Sequence, residues 1–544
     1  MSTTPVNPHD PTTPELSAHE LTTGSDSSRR QFLERVAGVA GLAAIATLPV
    51  DRAAATVRPH VGDYPFNLGI ASGDPRTDGV VLWTRLAPEP FAPHGGMAPI
   101  AVGVDWKIAT DEAMTRGIRV GRALAMPQLA HSVHVELVGL QPDRQYFYQF
   151  RYRDHVSPVG RTRTAPLHSA QLRNFNFAFA SCQSWQDGYY TAYRHLAEEN
   201  LDLVVHLGDY VYEGDIPADG GNRQVHVPAS ARPAPRTLRQ WRARYALYKS
   251  DPDLQRAHRL FPWTVTWDDH EVQNDYAADQ SQYEGDVSAL RAAAYQAYYE
   301  HQPLRTRSIP RGEQMRLYRR LTFGNLASFH VLDSRQYRSV PPCGWGEAPA
   351  CDAGYDRSVT MLGRRQERWL YDGLESSRAR WDVLANNVMM GRLDHDGPDG
   401  STLWHDAWDG FPAARNRLTR HLRDADVRNP ILITGDWHST FVNDILRNFD
   451  RPDSPTVATE FVGTSITSNG DAEVYGPYYG PMIKFNPHIK FFDGDRRGYV
   501  RCEITPDEWR SDLRMVNTVS RPHSPAYTFA SFVVEDGRPG AQQV

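Results

Sequence analysis

The sequence predicts an α/β fold preceded by an all-β domain, and three observations predict it. Residues 175–215 (FNFAFASCQSWQDGYYTAYRHLAEENLDLVVHLGDYVYEGD) read as strand, turn, helix, strand, turn. Apolar runs at Phe175–Ala180 and Leu201–Leu207 flank an amphipathic stretch at Asp187–Asn200, the pattern of a βαβ unit in a parallel sheet. From Arg173 onward such strands and helices keep alternating, whereas residues 56–166 hold only short alternating runs between turn residues, the pattern of a β-sandwich.

Taken in order, residues 1–55 stand outside both domains. Ser28-Arg29-Arg30-Gln31-Phe32-Leu33 is a twin-arginine pattern, Val36–Val50 a mild apolar run and Ala53-Ala54-Ala55 a small-residue cleavage site. Together they read as an export signal. The apolar run is short for a membrane span, so no stable membrane anchor is expected. The expected location is secreted or cell-envelope, reached through the twin-arginine export machinery.

In residues 56–166, strands are expected at Gly79–Arg85, Ala101–Ile108, Val133–Leu140 and Tyr146–Tyr152. Ser72-Gly73-Asp74-Pro75 and Pro142-Asp143 are read as turns. In residues 167–544, helices are expected at Thr237–Ser250, Val287–His301, Gly363–Ser377 and Pro412–Arg423. Strands are expected at Pro262–Trp267, Met315–Phe323, Leu326–Asp333, Trp381–Met390, Ile431–Thr434 and Val457–Gly463. The aromatic and Gly-rich segment Tyr475–Phe492 is a candidate rim or lid.

Composition narrows the function. The chain has 544 residues, 23% of them charged and 40% hydrophobic, and a formal charge of −6. That is a globular protein of more than one domain, without the basic balance of a general nucleic-acid binder. There are four cysteines, too few for a disulfide scaffold. Cys343 and Cys351 bracket a short loop and could pair in an oxidising compartment, and Cys502 reads as an inert core thiol.

Chemistry-bearing residues recur at the expected carboxyl ends of strands: Cys182, Asp209 with Tyr212, Asp269 with His270, and Asp436 with His438. Each alone is weak, since an Asp after a strand commonly caps a helix or holds a turn. Their recurrence along what reads as one edge of one sheet is not needed by a core, because grouped buried charges are costly unless paired or bound to metal. Thiolate, phenolate and imidazole favour a transition ion, and phenolate suits ferric iron. Carboxylate oxygens suit Ca²⁺, Mg²⁺ or Mn²⁺. Asp209 lies between the two sets and is the natural bridging carboxylate of a two-metal centre for phosphoryl transfer.

Gly208-Asp209-Tyr210-Val211-Tyr212 is similar to the GDxxY motif of purple acid phosphatases and related metallophosphoesterases. FASC, GDYVYE, TWDDHEVQND, LDSRQYR and GDWHSTF, in that order, resemble the PhoD-type alkaline phosphatase and phosphodiesterase family. The resemblance runs from about Tyr64 to near the C-terminus. It implies a four-layer αββα metallophosphoesterase domain behind an immunoglobulin-like β-sandwich, with a boundary at 166/167. It also implies Fe³⁺ and Ca²⁺, with Mn²⁺, Mg²⁺ or Zn²⁺ as alternatives at the second site.

Carried over by motif, Cys182, Tyr212 and His438 would bind iron with Asp209 bridging. Asp269 and Asp436 would serve the second ion, His270 would touch the phosphoryl group, and Arg335 either contacts phosphate or pairs with Asp333. Asn274 and Asn386 or Asn387 are further second-site candidates. The implied reaction is phosphoester hydrolysis by direct attack of a metal-bound hydroxide, on a phosphomonoester or phosphodiester. The alternative substrate is a phospholipid, hydrolysed as by a phospholipase D.

Overall fold

The computed structural model describes residues 64–398, 400–451 and 453–544. The twin-arginine pattern, the apolar run and Ala53–Ala55 lie outside the described residues.

The amino-terminal strands are β1 (Ile70–Arg76), β2 (Gly79–Arg85), β3 (Val102–Ala109), β4 (Arg119–Ala125), β5 (Ser132–Glu136), β6 (Gln145–Tyr152), β7 (His155–Val156) and β8 (Gly160–Arg163). β3 pairs antiparallel with β4 and β6, and β6 also carries β7 and β8. β2 pairs antiparallel with β1 and β5. Inward residues of the two layers, among them Val80, Leu82, Val104, Ile108, Tyr148 and Phe150, share one buried cluster. This is the packing expected of a β-sandwich.

Two expectations are corrected here. Ser72–Pro75 is not a free turn: it lies within β1, whose register on β2 shifts between Gly73 and Arg76. A bulge absorbs the turn-forming residues, with Asp74 at φ 44°. Nor is the sandwich closed off from the α/β part of the chain. β1 pairs in parallel with β11 (Pro262–Val265), so one layer continues into the next sheet. Gly73 permits that approach, because a Cβ there would lie 2.6 Å from the Trp263 carbonyl oxygen.

The α/β part begins with β9 (Phe175–Ala180), α1 (Thr191–Leu196) and β10 (Leu203–His206), the expected βαβ unit with a shorter helix. Next come α2 (Leu238–Lys249), capped by a Thr237–Gln240 capping box, and α3 (Pro252–Leu260), capped by Asp251. After β11 come a hairpin of two short strands, β12 (Gln280–Ser281) and β13 (Gly285–Asp286), and α4 (Ser288–His301). β14 (Arg319–Phe323), β15 (Ala327–Val331), β16 (Glu347–Pro349), α5 (Gly363–Glu375), β17 (Trp381–Ala385) and β18 (Thr402–Trp404) follow. The chain continues through α6 (Pro412–Asp424), β19 (Pro430–Thr434), β20 (Thr440–Leu446), β21 (Thr456–Val462) and α7 (Tyr475–Tyr479). It finishes with β22 (Ile489–Asp493), β23 (Arg497–Ile504), β24 (Glu508–Val516), β25 (Ala526–Glu535) and β26 (Arg538–Gln543).

These strands build two large mixed sheets. The first is ten-stranded in the order β26-β25-β24-β23-β9-β10-β11-β1-β2-β5. The second is seven-stranded in the order β14-β15-β17-β19-β21-β20-β22. Phe177, Phe179 and Val205 of the first share a buried cluster with Phe329, Val383 and Ile431 of the second. The other side of β9–β11 packs with α1–α4, and the other side of β15–β19 packs with α5 and α6. The C-terminal residues from Ala526 on form the outer strands β25 and β26 of the first sheet.

The consequence for the site is a third correction. β9, β10 and β11 run parallel in the first sheet, and β15, β17, β19 and β21 run parallel in the second. The chemistry-bearing residues therefore come from the carboxyl ends of two facing sheets, not from one. Cys343 and Cys351 are joined as a disulfide. Cys502 is buried in β23. Among the described residues no helix is long and apolar enough to cross a membrane.

Candidate metal centre

Every chemistry-bearing loop starts immediately after a buried parallel strand, and the backbone is bent sharply at those points. Cys182, Asp209, Asp436 and His438 all lie at positive φ, between 51° and 69°. Non-glycine residues avoid that region, at a cost of order 1–3 kcal/mol each. Gly208, at φ 119°, lets the β10 loop touch the β11 loop, since a Cβ there would lie 2.4 Å from that of Asp268. Glu271 ties the same two loops together. Its buried carboxylate accepts the backbone N–H groups of Asp209 (3.1 Å), Tyr210 (2.6 Å) and Asp268 (2.8 Å).

Three overlapping sets of ligand atoms result, the atoms of each set lying within 4.8 Å of one another: Cys182, Asp209 and His438; Asp209, Asp269 and His270; Asp268, Asp269 and Asp436. Asp209 belongs to the first two and Asp269 to the last two. Tyr212 joins the first set. Its hydroxyl lies 2.9 Å from Asp209 Oδ2 and 3.0 Å from His438 Nε2, and it accepts a hydrogen bond from Ser468 at 2.7 Å. Cys182, Asp209, Tyr212, Asp269, Asp436 and His438 thus meet in one place.

The donor set fits cations. Asp209 Oδ1, Asp268 Oδ2 and Asp269 Oδ1 are buried without a hydrogen-bond partner, a costly arrangement unless a cation takes them. Titration directions say the same. Burial, then the Asp269 charge, pushes Asp209 up to about 7. Burial, then Asp209, raises the Cys182 thiol. Burial and the neighbouring Asp268 raise Asp436. Burial and then Arg497 lower His438 to about 3, so its imidazole is neutral and able to ligate. Its tautomer is set from outside the centre: Nδ1 donates to Asn469 Oδ1 at 2.6 Å and lies 3.1 Å from the Tyr475 hydroxyl, which leaves Nε2 facing Tyr212.

His270 is held differently. Its Nδ1 donates to Glu213 Oε2 at 2.7 Å, and its ring stacks on Tyr212 with centroids 4.2 Å apart. Burial alone would lower its pKa, but Glu213, Asp269 and Asp209 outweigh that and raise it well above the ordinary value.

Arg335 is fully buried, and its guanidinium does not pair with Asp333. Asp333 Oδ1 takes the Arg335 backbone N–H instead, at 3.2 Å. The guanidinium pairs with Asp268, with Asp406 at 2.7 Å, and more distantly with Asp436 at 3.4 Å and Asp269 at 3.6 Å. It sits among the carboxylates that a second cation would share. The two asparagines of the β17 loop are structural. Asn387 accepts from the Ser334 N–H and hydroxyl and donates to the carbonyls of Leu207 and Trp267, so its amide cross-links strand ends of both sheets. Asn386 bonds the Val388 carbonyl and the Trp408 indole. Of Asn274, the structure shows only its backbone N–H donating to Glu213 at 2.7 Å.

Sequence reasoning passed over Asp268, Glu213, Glu271, Asp406 and Asn469. Asp268 was visible as the first acid of Asp268-Asp269-His270, and Glu213 as the acid following Tyr212. Nothing local in the sequence marks Asn469 or Asp406. The segment starting at Tyr475 borders the centre: the Tyr479 ring packs 5.1 Å from that of Trp437, next to His438.

Comparison with known proteins places this arrangement. Residues 177–513 match the family model described as PhoD-like phosphatase, and residues 52–166 match that of the PhoD-like phosphatase N-terminal domain. The chain is 44% identical over 525 residues to alkaline phosphatase D of Bacillus subtilis (strain 168), covering 95% of this chain and 89% of that protein. A solved structure of PhoD, 44% identical, superposes with a TM-score of 0.84 over 90% of this chain and 93% of that one.

Proposed function

We propose, from the premise that the chain belongs to the PhoD-like phosphatase family and is a phosphoric ester hydrolase, that it works through a cation pair bridged by Asp209. Cys182, Tyr212 and His438 would hold a transition ion, for which the phenolate favours Fe³⁺. Asp269 and Asp436, with Asp268, would hold a harder ion such as Ca²⁺, with Mn²⁺, Mg²⁺ or Zn²⁺ as alternatives. When bound, such a pair supplies Lewis-acid activation of water and neutralises phosphoryl oxygens.

The protein's own groups do the rest. Glu213 fixes the His270 ring and keeps the proton on Nδ1, so Nε2 serves the substrate. That nitrogen binds a phosphoryl oxygen and delivers a proton to the departing alkoxide. Burial of the centre between two sheets excludes water and strengthens each of these contacts. The Arg335 guanidinium balances the charge of Asp268, Asp406, Asp269 and Asp436, and through them holds the second-ion ligands in register; its assignment as a phosphate contact gives way to this role. The observation that carries the reading is the overlap of the three ligand sets at Asp209 and Asp269. Elemental analysis of the purified protein together with turnover of a soluble phosphoester tests it. Metal-free protein with full turnover would refute it.

Three broader points belong to the same reading. The buried clusters between the sheets and on their outer sides support a four-layer αββα domain from residue 167, behind an immunoglobulin-like sandwich at 56–166. The twin-arginine pattern supports export to the cell envelope or beyond. A phospholipid substrate is the second reading, supported by the half-buried Met482 and Ile483 packed beside Trp437 and Tyr479 near the centre. Comparing a soluble monoester, a soluble diester and phosphatidylcholine separates these substrates.

A further inference from the structure

A cavity of about 750 Å³ is formed by the segment from Thr306 to Tyr318, by Gln336 and Tyr337, and by the first turn of α5. Five arginines line it, Arg307, Arg311, Arg316, Arg364 and Arg365, and its walls carry no Asp or Glu. All five are exposed, and none makes an ion pair among the described residues. In a chain of net charge −6 such a local excess of cations is not a general surface property. Two of the arginines also sit where the fold disfavours them. Arg364 and Arg365 occupy the first turn of α5, which has no acidic residue and no side-chain cap. The helix dipole is positive there, so each works against the helix. Arg307 also lines a neighbouring cavity of about 960 Å³, where Arg76, Arg320 and Arg378 stand with Asp74, Asp78 and the ion-paired Arg305 and Arg319. The two cavities meet at Arg307 and together form a groove in which arginines outnumber acids.

We infer that this groove holds a flexible chain of repeated phosphate groups. A guanidinium matches phosphoryl oxygens in a two-pronged fork. One small anion would satisfy one or two such groups, whereas five unpaired arginines along one cavity, continued past Arg307 by Arg76, Arg320 and Arg378, suit a ligand whose charge repeats along its length. Arg316 lies over the Tyr318 ring at 5.2 Å, which orients its guanidinium along the wall. None of the residues lining the first cavity is a ligand of the proposed metal centre, and the inference does not depend on that reading.

The test uses the full-length protein and end-labelled linear polyphosphate, with binding followed by fluorescence anisotropy over a salt series. The variants are the triple substitution Arg311→Gln/Arg364→Gln/Arg365→Gln and a control triple on the amino-terminal domain, Arg116→Gln/Arg119→Gln/Arg153→Gln. The first triple is expected to bind about ten-fold more weakly or worse, and its slope of log affinity against log salt to fall by about 2, at ~0.7 per lost phosphate contact. Arg307→Gln alone gives a smaller loss of the same sign. The control binds as wild type, and both triples hydrolyse a small soluble monoester at the wild-type rate. A melting midpoint at or above wild type separates lost contacts from lost folding. Unchanged binding by the first triple, an equal loss in the control, or preference for single-stranded DNA over polyphosphate would overturn the inference.

Discussion

Glu213 and His270 form a partly buried pair. Glu213 Oε2 accepts the His270 Nδ1–H at 2.7 Å, while Oε1 accepts the Asn274 backbone N–H, also at 2.7 Å. One carboxylate thus fixes both the imidazole and the loop that carries it. Glu213→Gln keeps the size but weakens the bond, and is expected to lower kcat about 10–100-fold with metal content unchanged. Steady-state kinetics with elemental analysis checks it. Wild-type kcat in the variant would remove Glu213 from the mechanism.

Asn469 acts on His438 from the opposite side. Its Oδ1 receives both His438 Nδ1–H and the Tyr475 hydroxyl. Asn469→Ala is expected to weaken retention of the ion on the Cys182 side about 10–100-fold, and that of the other ion less. Chelator titration with metal analysis reads this directly, and equal loss of both ions would contradict it.

Glu271 is a stability prediction. It accepts three backbone N–H groups from two loops that are themselves bent into positive φ. Glu271→Ala leaves these donors buried and unpaired, at roughly 1–3 kcal/mol for each that water does not reach. The melting midpoint is expected to fall by several degrees at least, because two strained loops loosen together. A midpoint within one degree of wild type would show that the carboxylate is dispensable.

The reach of the sequence reading depends on where each signal resides. Cys182, Asp209, Asp269, Asp436 and His438 were legible because each stands within a few residues of the end of an apolar strand, where a core has no use for it, and Tyr212 because it lies three residues beyond Asp209. That the strands belong to two facing sheets was not legible, since either arrangement produces the same run of strands and helices. Helix α3 escaped notice because it follows α2 with only Ser250 and Asp251 between them. β1 was hidden by a bulge built of turn residues. Asn387 and Arg335 show the limit at the site. Their residue types suit ligands and phosphate contacts, yet their actual neighbours, strand-end carbonyls and carboxylates, come from distant parts of the chain.

Acid stability should report the buried histidines. Burial lowers His134 to about 4, with the Gln302 and Tyr299 carbonyls only partly opposing it, and lowers His206 to about 3. Both are neutral in the folded protein and take a proton near pH 6.5 once unfolded. Their contribution is complete above about pH 6.5 and is lost as pH falls towards 4 for His134 and towards 3 for His206, at about 1.4 kcal/mol per pH unit for each. His134→Gln is expected to reduce that slope between pH 6.5 and 4. Denaturant midpoints measured across this range check it, and an unchanged slope would contradict it.

The most direct test of the central claim is Asp209→Ala, assayed for both bound metals and phosphoester turnover on the same preparation. Loss of turnover by a factor of a thousand or more (about 4 kcal/mol in the barrier), with depletion of both ions, is the predicted result. Full turnover with the metal content of the wild type would mean that the carboxylate shared by two ligand sets bridges nothing.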